Sequence, residues 1–292
     1  MSLDQYRKTI DKIDRELVAL INKRHETVLK IAENKRSRSA PYFSAPREQA
    51  VYRKVIGHNN GPTLDTTVQA VFREIMSGAL ALEEDLKVAY LGPEGTFSYA
   101  AARSKFGTSL QFVPCTTLGS VFNSVDTCRA NYGIVPVENS LEGGINITLD
   151  MLMEKELTIV SEIYMKIDLA FLGTDPEDIK RIYSHPQPIG QCRRWLSEHY
   201  PDAELCKCAS TVFAVKEAVR RKHAAAIAHE SAAELYGLEV LHKHIEDASA
   251  NYTRFFVISR GETNAATGHD KTSLIVFIKD RPGALFELLD AF

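Results

Sequence analysis

IMSGALALEEDLKVAYLGPEGTFS, residues 75–98, changes its hydrophobic period once, and that change divides the chain. Up to Glu84 the apolar residues keep helical spacing. Val68, Phe72, Ile75 and Ala79 fall on one face of a helix expected over about 65–84. From Lys87 the pattern becomes a short apolar run, 88–91, followed directly by Gly92-Pro93-Glu94-Gly95-Thr96-Phe97-Ser98 and a helical pattern over 99–106. A strand, a glycine turn and a helix start open an α/β unit, and backbone amides at such a helix start can hold an anion.

Upstream of the junction the chain reads as helical throughout. Ile10, Ile13, Leu17, Leu20, Ile21, Val28 and Ile31 recur at three- and four-residue steps along one stripe. A helix of that length needs a partner helix along most of it, from this chain or a second copy. Residues 37–46, with Pro41 and Pro46, break the pattern, and a second helix is expected over 46–56, with proline tolerated in its first turn.

Downstream, apolar runs at 88–91, 111–114, 133–137, 157–163, 168–172, 224–228 and 254–258 alternate with helical patterns such as 99–106 and 212–222. The expectation is a largely parallel sheet with its ligand site in the loops after the strands. After a polar stretch at 261–268, a strand is expected over 273–279, then a turn at 280–283 and a helix from Ala284 to the last residue, Phe292. One strand and part of a helix cannot bury a core, so this last unit is expected to be incomplete.

Length and composition bound the rest. A chain of 292 residues suggests two domains and part of a third, and 45% hydrophobic with 25% charged residues is globular composition. A net charge of −3 does not favour a nucleic-acid partner. No apolar stretch is long enough to span a membrane and no apolar leader opens the chain, so a cytoplasmic location is expected. The five cysteines, 115, 128, 192, 206 and 208, read as free thiols in a reducing compartment. Neither the P-loop nor the dinucleotide fingerprint occurs, no Ser/His/Asp nucleophile set is evident, and no cluster has metal-ligand spacing; His242 and His244 read as solvated. No cofactor is therefore expected.

The charge is uneven: residues 1–58 carry +6 and the remainder −9. Arg7, Arg24 and Lys35 lie on or beside the apolar stripe of the first helix. Long basic side chains can snorkel from the edge of a seam. Alternatively, three cations on one buried face call for a bound polyanion, which guanidinium forks match well.

With Arg47-Glu48 and Glu83 added to those cations, residues 1–86 resemble the helical chorismate mutase domain. The resemblance implies three helices in an intertwined homodimer that rearranges chorismate to prephenate. That reaction is pericyclic, so the site must hold the reactive conformer and stabilise charge on the ether oxygen. By resemblance Arg7, reaching over from the second copy, Arg24 and Arg47 take the carboxylates. Lys35 donates to the ether oxygen, Glu48 holds the hydroxyl, and Ser44 is a binding position where some members carry Asp. Glu83 stands where members have Gln or Glu and is expected to act in its protonated form.

Four polar loops follow in the second region: 92–98, 136–144 with Glu138, Asn139 and Ser140, 184–192 with Ser184, His185 and Gln191, and 251–255 with Thr253 and Arg254. In that order they resemble prephenate dehydratase over about 87–262, which implies two α/β lobes like those of periplasmic binding proteins, with substrate in the cleft. The reaction takes prephenate to phenylpyruvate, CO2 and water. Thr253 is the favoured hydroxyl donor, with Glu138, Asn139 and Gln191 beside it and Ser140, Ser184, His185 and Arg254 binding substrate. Gly283-Ala284-Leu285-Phe286, within 263–292, resembles the start of an α+β ACT domain, whose ligand in the family is the feedback inhibitor phenylalanine; in an incomplete domain no such inhibition is expected. The whole resembles the bifunctional chorismate mutase/prephenate dehydratase family of phenylalanine biosynthesis. A non-catalytic sensor of small acids on the same two-lobed fold, or a chain retaining only one activity, is the competing reading.

Overall fold

The computed structural model describes residues 2–36, 43–248, 250–261, 266–268 and 270–292. Pro41 and most of the break expected after the first helix lie outside them. Three helices come first: α1 (Leu3–Arg36), α2 (Ala45–Gly57) and α3 (Asp65–Glu83). The α/β region follows with β1 (Lys87–Leu91), α4 (Phe97–Phe106), β2 (Gln111–Cys115), α5 (Leu118–Asp126), β3 (Tyr132–Asn139), β4 (Gly143–Gly144), α6 (Asn146–Glu154) and β5 (Thr158–Lys166). Next come β6 (Ala170–Gly173), β7 (Arg181–Ser184), α7 (Pro186–Gln191), α8 (Arg193–His199), β8 (Glu204–Lys207), α9 (Thr211–Arg220), β9 (Ala224–Ala228), α10 (Ser231–Tyr236) and β10 (Glu239–His242). Strand β11 (Tyr252–Ser259) and helix α11 (Ala284–Leu289) close the chain.

At 34 residues, α1 is about 51 Å long. It meets α3 only from Ile21 onward, where His25 Nε2 lies 3.0 Å from the Ile75 carbonyl. Every residue from Ser2 to Leu20 is exposed, Ile10, Ile13, Leu17 and Leu20 of the stripe included. Among the described residues, the stripe's N-terminal half has no helix from its own chain against it. No described helix is long and apolar enough to cross a membrane.

The α/β region forms two sheets, ordered β2-β1-β3-β11-β5 with β4 beside β3, and β10-β6-β9-β7-β8. Both are mixed rather than largely parallel. Strand β11 runs antiparallel to β3 and β5, and β6 runs antiparallel to β9 and β10. The cause is topological: the chain leaves the first lobe after β5, builds the second, and returns as β11 to the middle of the first sheet. At the two crossings Ile167 N–H donates to the Asn251 carbonyl (2.8 Å), and Ile245 N–H to that of Leu169 (3.1 Å).

The helical unit is docked on the first lobe. Thr108 donates its N–H (2.9 Å) and its hydroxyl (2.7 Å) to Glu74 Oε2, and Ser109 N–H donates to Ser77 Oγ (3.0 Å). Gly107 makes this approach possible. Its φ is +69°, and a Cβ there would lie 2.6 Å from Ser77 Cβ. Phe43 packs on Phe106 and Tyr132 at centroid separations of 5.0 and 5.4 Å.

A second expectation about the fold also fails. Residues 273–279 form no strand; with no neighbouring strand among the described residues to complete a ladder, Leu274, Ile275, Val276, Phe277 and Ile278 stay exposed. Gly283 precedes α11 with a φ of +85°, and Leu285 and Phe286 on that helix are exposed.

Candidate active sites

The helical unit holds a cavity of about 310 Å³ into which all three helices send side chains. Arg24, Val28, Ile31 and Lys35 line it at helical steps, so the C-terminal part of the sequence stripe is its floor. Ser44 caps α2, its hydroxyl accepting from Arg47 N–H at 3.4 Å, and thereby sets Arg47 and Glu48 in the first turn at the cavity wall. Glu83, the last residue of α3, is buried, and Lys35 Nζ lies 3.1 Å from its Oε2.

Three cations thus face two carboxylates. Arg24 Nη1 is buried and has no hydrogen-bond partner among the described residues. Burial, then the Arg47 guanidinium, pull the pKa of Arg24 below its ordinary value, while Glu83 opposes them. A buried guanidinium beside a second one calls for an anion. Arg7 is not at this cavity. It lies 17 residues before Arg24, roughly 26 Å along the helix, and is exposed with Asp4 3.7 Å away.

The second cavity, about 360 Å³, opens between the two lobes. Thr96 caps α4 from the first lobe and Ser210 caps α9 from the second, and both line the cleft, so two helix N-termini converge on it. No lysine or arginine is among the residues that line it. A ligand carboxylate there meets backbone amides, hydroxyls, side-chain amides and the His185 ring, with the Glu142 carboxylate in the same wall.

Asn139, Asn251 and Thr253 form a buried triangle in the cleft wall. Asn139 Oδ1 accepts from the N–H groups of Leu141 (3.0 Å) and Glu142 (3.2 Å), which fixes the sense of its amide. Its Nδ2 therefore donates to Asn251 Oδ1 and to Thr253 Oγ1, both at 2.9 Å. Thr253 accepts this bond, which leaves its own proton for something in the cleft. His185, capping α7, and Gln191, at that helix's end, also line it.

Four expected residues stand apart from the cleft. Strand alternation turns Glu138 and Arg254 away from Asn139 and Thr253; they face each other at 3.9 Å, and Arg254 Nη2 binds Glu162 Oε2 at 2.7 Å. Ser184 is buried with its hydroxyl on the Ile227 carbonyl (2.7 Å). Ser140 braces the entry to β11, accepting from Tyr252 N–H (2.9 Å) and donating to the Ala250 carbonyl (3.1 Å). The sequence reading left out Ser210 and Thr211, and quoted Glu142 and Asn251 within their loops without giving them a role; Ser210, just before the apolar 212–215 pattern, carried a legible capping signal. Asp168, His244 and Glu246 bring ligand atoms within 4.8 Å of one another, a grouping hidden by their separation in sequence. Lys166 already binds Asp168 and lies 3.9 Å from Glu246, so its ammonium serves as their counter-ion.

Comparison with known proteins matches two families to this chain, one after the other. The family profile for prephenate dehydratase matches residues 88–263, and that for chorismate mutase type II matches 6–84. The bifunctional chorismate mutase/prephenate dehydratase of Pseudomonas aeruginosa is 43% identical over 99% of this chain and 81% of its own length. That of Aquifex aeolicus is 39% identical over 99% of this chain and 82% of its own. The crystal structure of prephenate dehydratase from Arthrobacter aurescens, in complex with L-Phe, superposes with a TM-score of 0.64 at 35% identity, covering 71% of this chain and 72% of that one. With both profiles matched in order and identity sustained across nearly its whole length, this chain belongs to the bifunctional chorismate mutase/prephenate dehydratase family.

Proposed function

We propose that the chain works as a homodimer in the cytoplasm, converting chorismate to prephenate in its helical cavity and prephenate to phenylpyruvate in its interlobe cleft. Residues 1–86 are the mutase unit, 87–262 the dehydratase unit, and 263–292 a linker into a regulatory segment. The observation that carries this reading is the contrast between the cavities: one is rich in cations, the other is lined without any.

That contrast suits the two chemistries. Chorismate keeps both carboxylates through a pericyclic rearrangement, so fixed cations can hold them and fix the reactive conformer. Arg24 and Arg47 take these carboxylates, with Arg7 of the second copy completing the site. Lys35 donates to the ether oxygen and Glu48 holds the hydroxyl. Glu83 lies beside the same oxygen and holds the Lys35 ammonium that donates to it. The exposed half of α1 is what the second copy covers.

Prephenate loses a carboxylate, and a cation on that group would stabilise the reactant more than the transition state. Neutral donors hold it with less penalty. The electron pair of the breaking C–CO2 bond enters the ring, CO2 leaves, and the C4–oxygen bond breaks with its pair onto the departing hydroxide, which takes up a proton as water. Thr253 donates its hydrogen bond to that oxygen, oriented by Asn139. His185, Gln191 and the starts of α4 and α9 hold the remaining groups. The five cysteines stand as free thiols, which suits a reducing compartment.

Separate assays on two variants test the assignment. Lys35→Ala should remove chorismate consumption while prephenate is still dehydrated, and Thr253→Ala should do the reverse. Loss of both activities in either variant, or of neither, would contradict it.

A further inference from the structure

Lys105 belongs to α4, in the first lobe of the dehydratase, yet its Nζ binds Oε2 of Glu48 in the mutase cavity. The side chains of the pair are only 11% and 10% exposed, so the charges meet largely out of water. The same ammonium lies 5.4 Å above the ring of Phe43, which lines the mutase cavity and packs on Phe106 and Tyr132 of the dehydratase. Glu48 stands in the walls of two cavities. One is the mutase site, and the other, about 470 Å³, lies between the units and is lined also by Lys105, Tyr52 and Arg73. The carboxylate is therefore held from the dehydratase side while it faces the mutase side.

We propose that Lys105 is a positioning residue for the mutase reaction, supplied by the dehydratase unit. It fixes the Glu48 side chain and offsets a negative charge that would otherwise repel a dianionic substrate. This rests on the reading of the helical cavity as the mutase site and of Glu48 as the group that holds the substrate hydroxyl. A buried carboxylate stripped of its partner both moves and repels, so the effect falls mainly on substrate binding. Joining the two enzymes in one chain then has a chemical consequence, because one unit completes the other's site.

The test is made on the full chain with chorismate as substrate. Lys105→Met keeps the apolar stem over Phe43 and removes the charge. It should raise the mutase KM roughly tenfold or more with a smaller change in kcat, while dehydration of added prephenate stays normal and reports an intact first lobe. Lys105→Arg should restore most of the affinity. In a Glu48→Gln background, where no charge remains to offset, Lys105→Met should change the KM little further. An unchanged KM in Lys105→Met, or an equal loss in both backgrounds, would overturn the proposal; the second result marks a purely structural interface. Lys35→Ala in the same assays separates the two levels. Intact mutase activity in that variant removes the site reading and this inference with it. Its loss, beside an unaffected Lys105→Met, removes this inference alone.

Discussion

Asn139 shows how far one side chain's bonds can define another's chemistry. Its amide is fixed by two backbone donors, so its Nδ2 is the donor to Thr253 and Asn251, both at 2.9 Å, with the Tyr252 carbonyl at 3.4 Å. Asn251→Ala removes the shorter of the two bonds that hold Nδ2 besides the one to Thr253, leaving the Tyr252 carbonyl at 3.4 Å, and loosens the aim at Thr253. We expect kcat for dehydration to fall about 10- to 100-fold, with a smaller change in KM and normal mutase activity; steady-state kinetics with prephenate checks this. The sequence reading placed Asn139 and Thr253 around the substrate, and placed Glu138 and Arg254 there with them. Only the pairing of Thr253 with Asn139 reveals that one member of each adjacent couple faces the cleft and the other faces away.

Among the elements, α1 carries the largest unmet need. Its N-terminal half exposes an apolar stripe that the second copy of the proposed dimer would bury, so Leu17→Asp should leave the chain monomeric and abolish mutase activity, as light scattering beside the unaltered chain and chorismate assays would show together. The docking of α3 on the first lobe has a pH signature. Burial raises the Glu74 pKa, but the bonds from Thr108 and Arg73 outweigh it and leave the carboxyl below its ordinary value. The docked form thus binds fewer protons. Its advantage is complete above the ordinary carboxylate pKa and fades as pH falls through the lowered one. Glu74→Gln should lower thermal stability near neutral pH and flatten the acid limb of a melting-temperature profile.

Long periodic elements were legible because many residues vote for each of them: the helices α1 to α3 and the apolar strands β1, β3 and β11. Strands β7 and β10 were not, since four-residue pieces such as Arg181–Ser184 have no room for a pattern and exist by pairing. The 273–279 run is the converse: its β-prone residues read as a strand, but among the described residues it has no partner strand to pair with.

At the scale of the molecule, a helical unit and two lobes are joined by contacts the sequence could not announce. The period change after residue 84 separates the units, whereas Gly107 against Ser77 and Lys105 on Glu48 bring them back together across some tens of residues. The mixed sheets follow from the chain's double crossing between lobes, which no local pattern records. The two cavities lie in different units and differ in charge, so the chain should carry out both steps with prephenate as the shared intermediate. The most direct test supplies the purified chain with chorismate alone and follows chorismate, prephenate and phenylpyruvate in one time course. The account predicts that chorismate disappears, prephenate rises and then falls, and phenylpyruvate accumulates to match the chorismate consumed; prephenate that accumulates without conversion, or chorismate left untouched while added prephenate reacts, would contradict it.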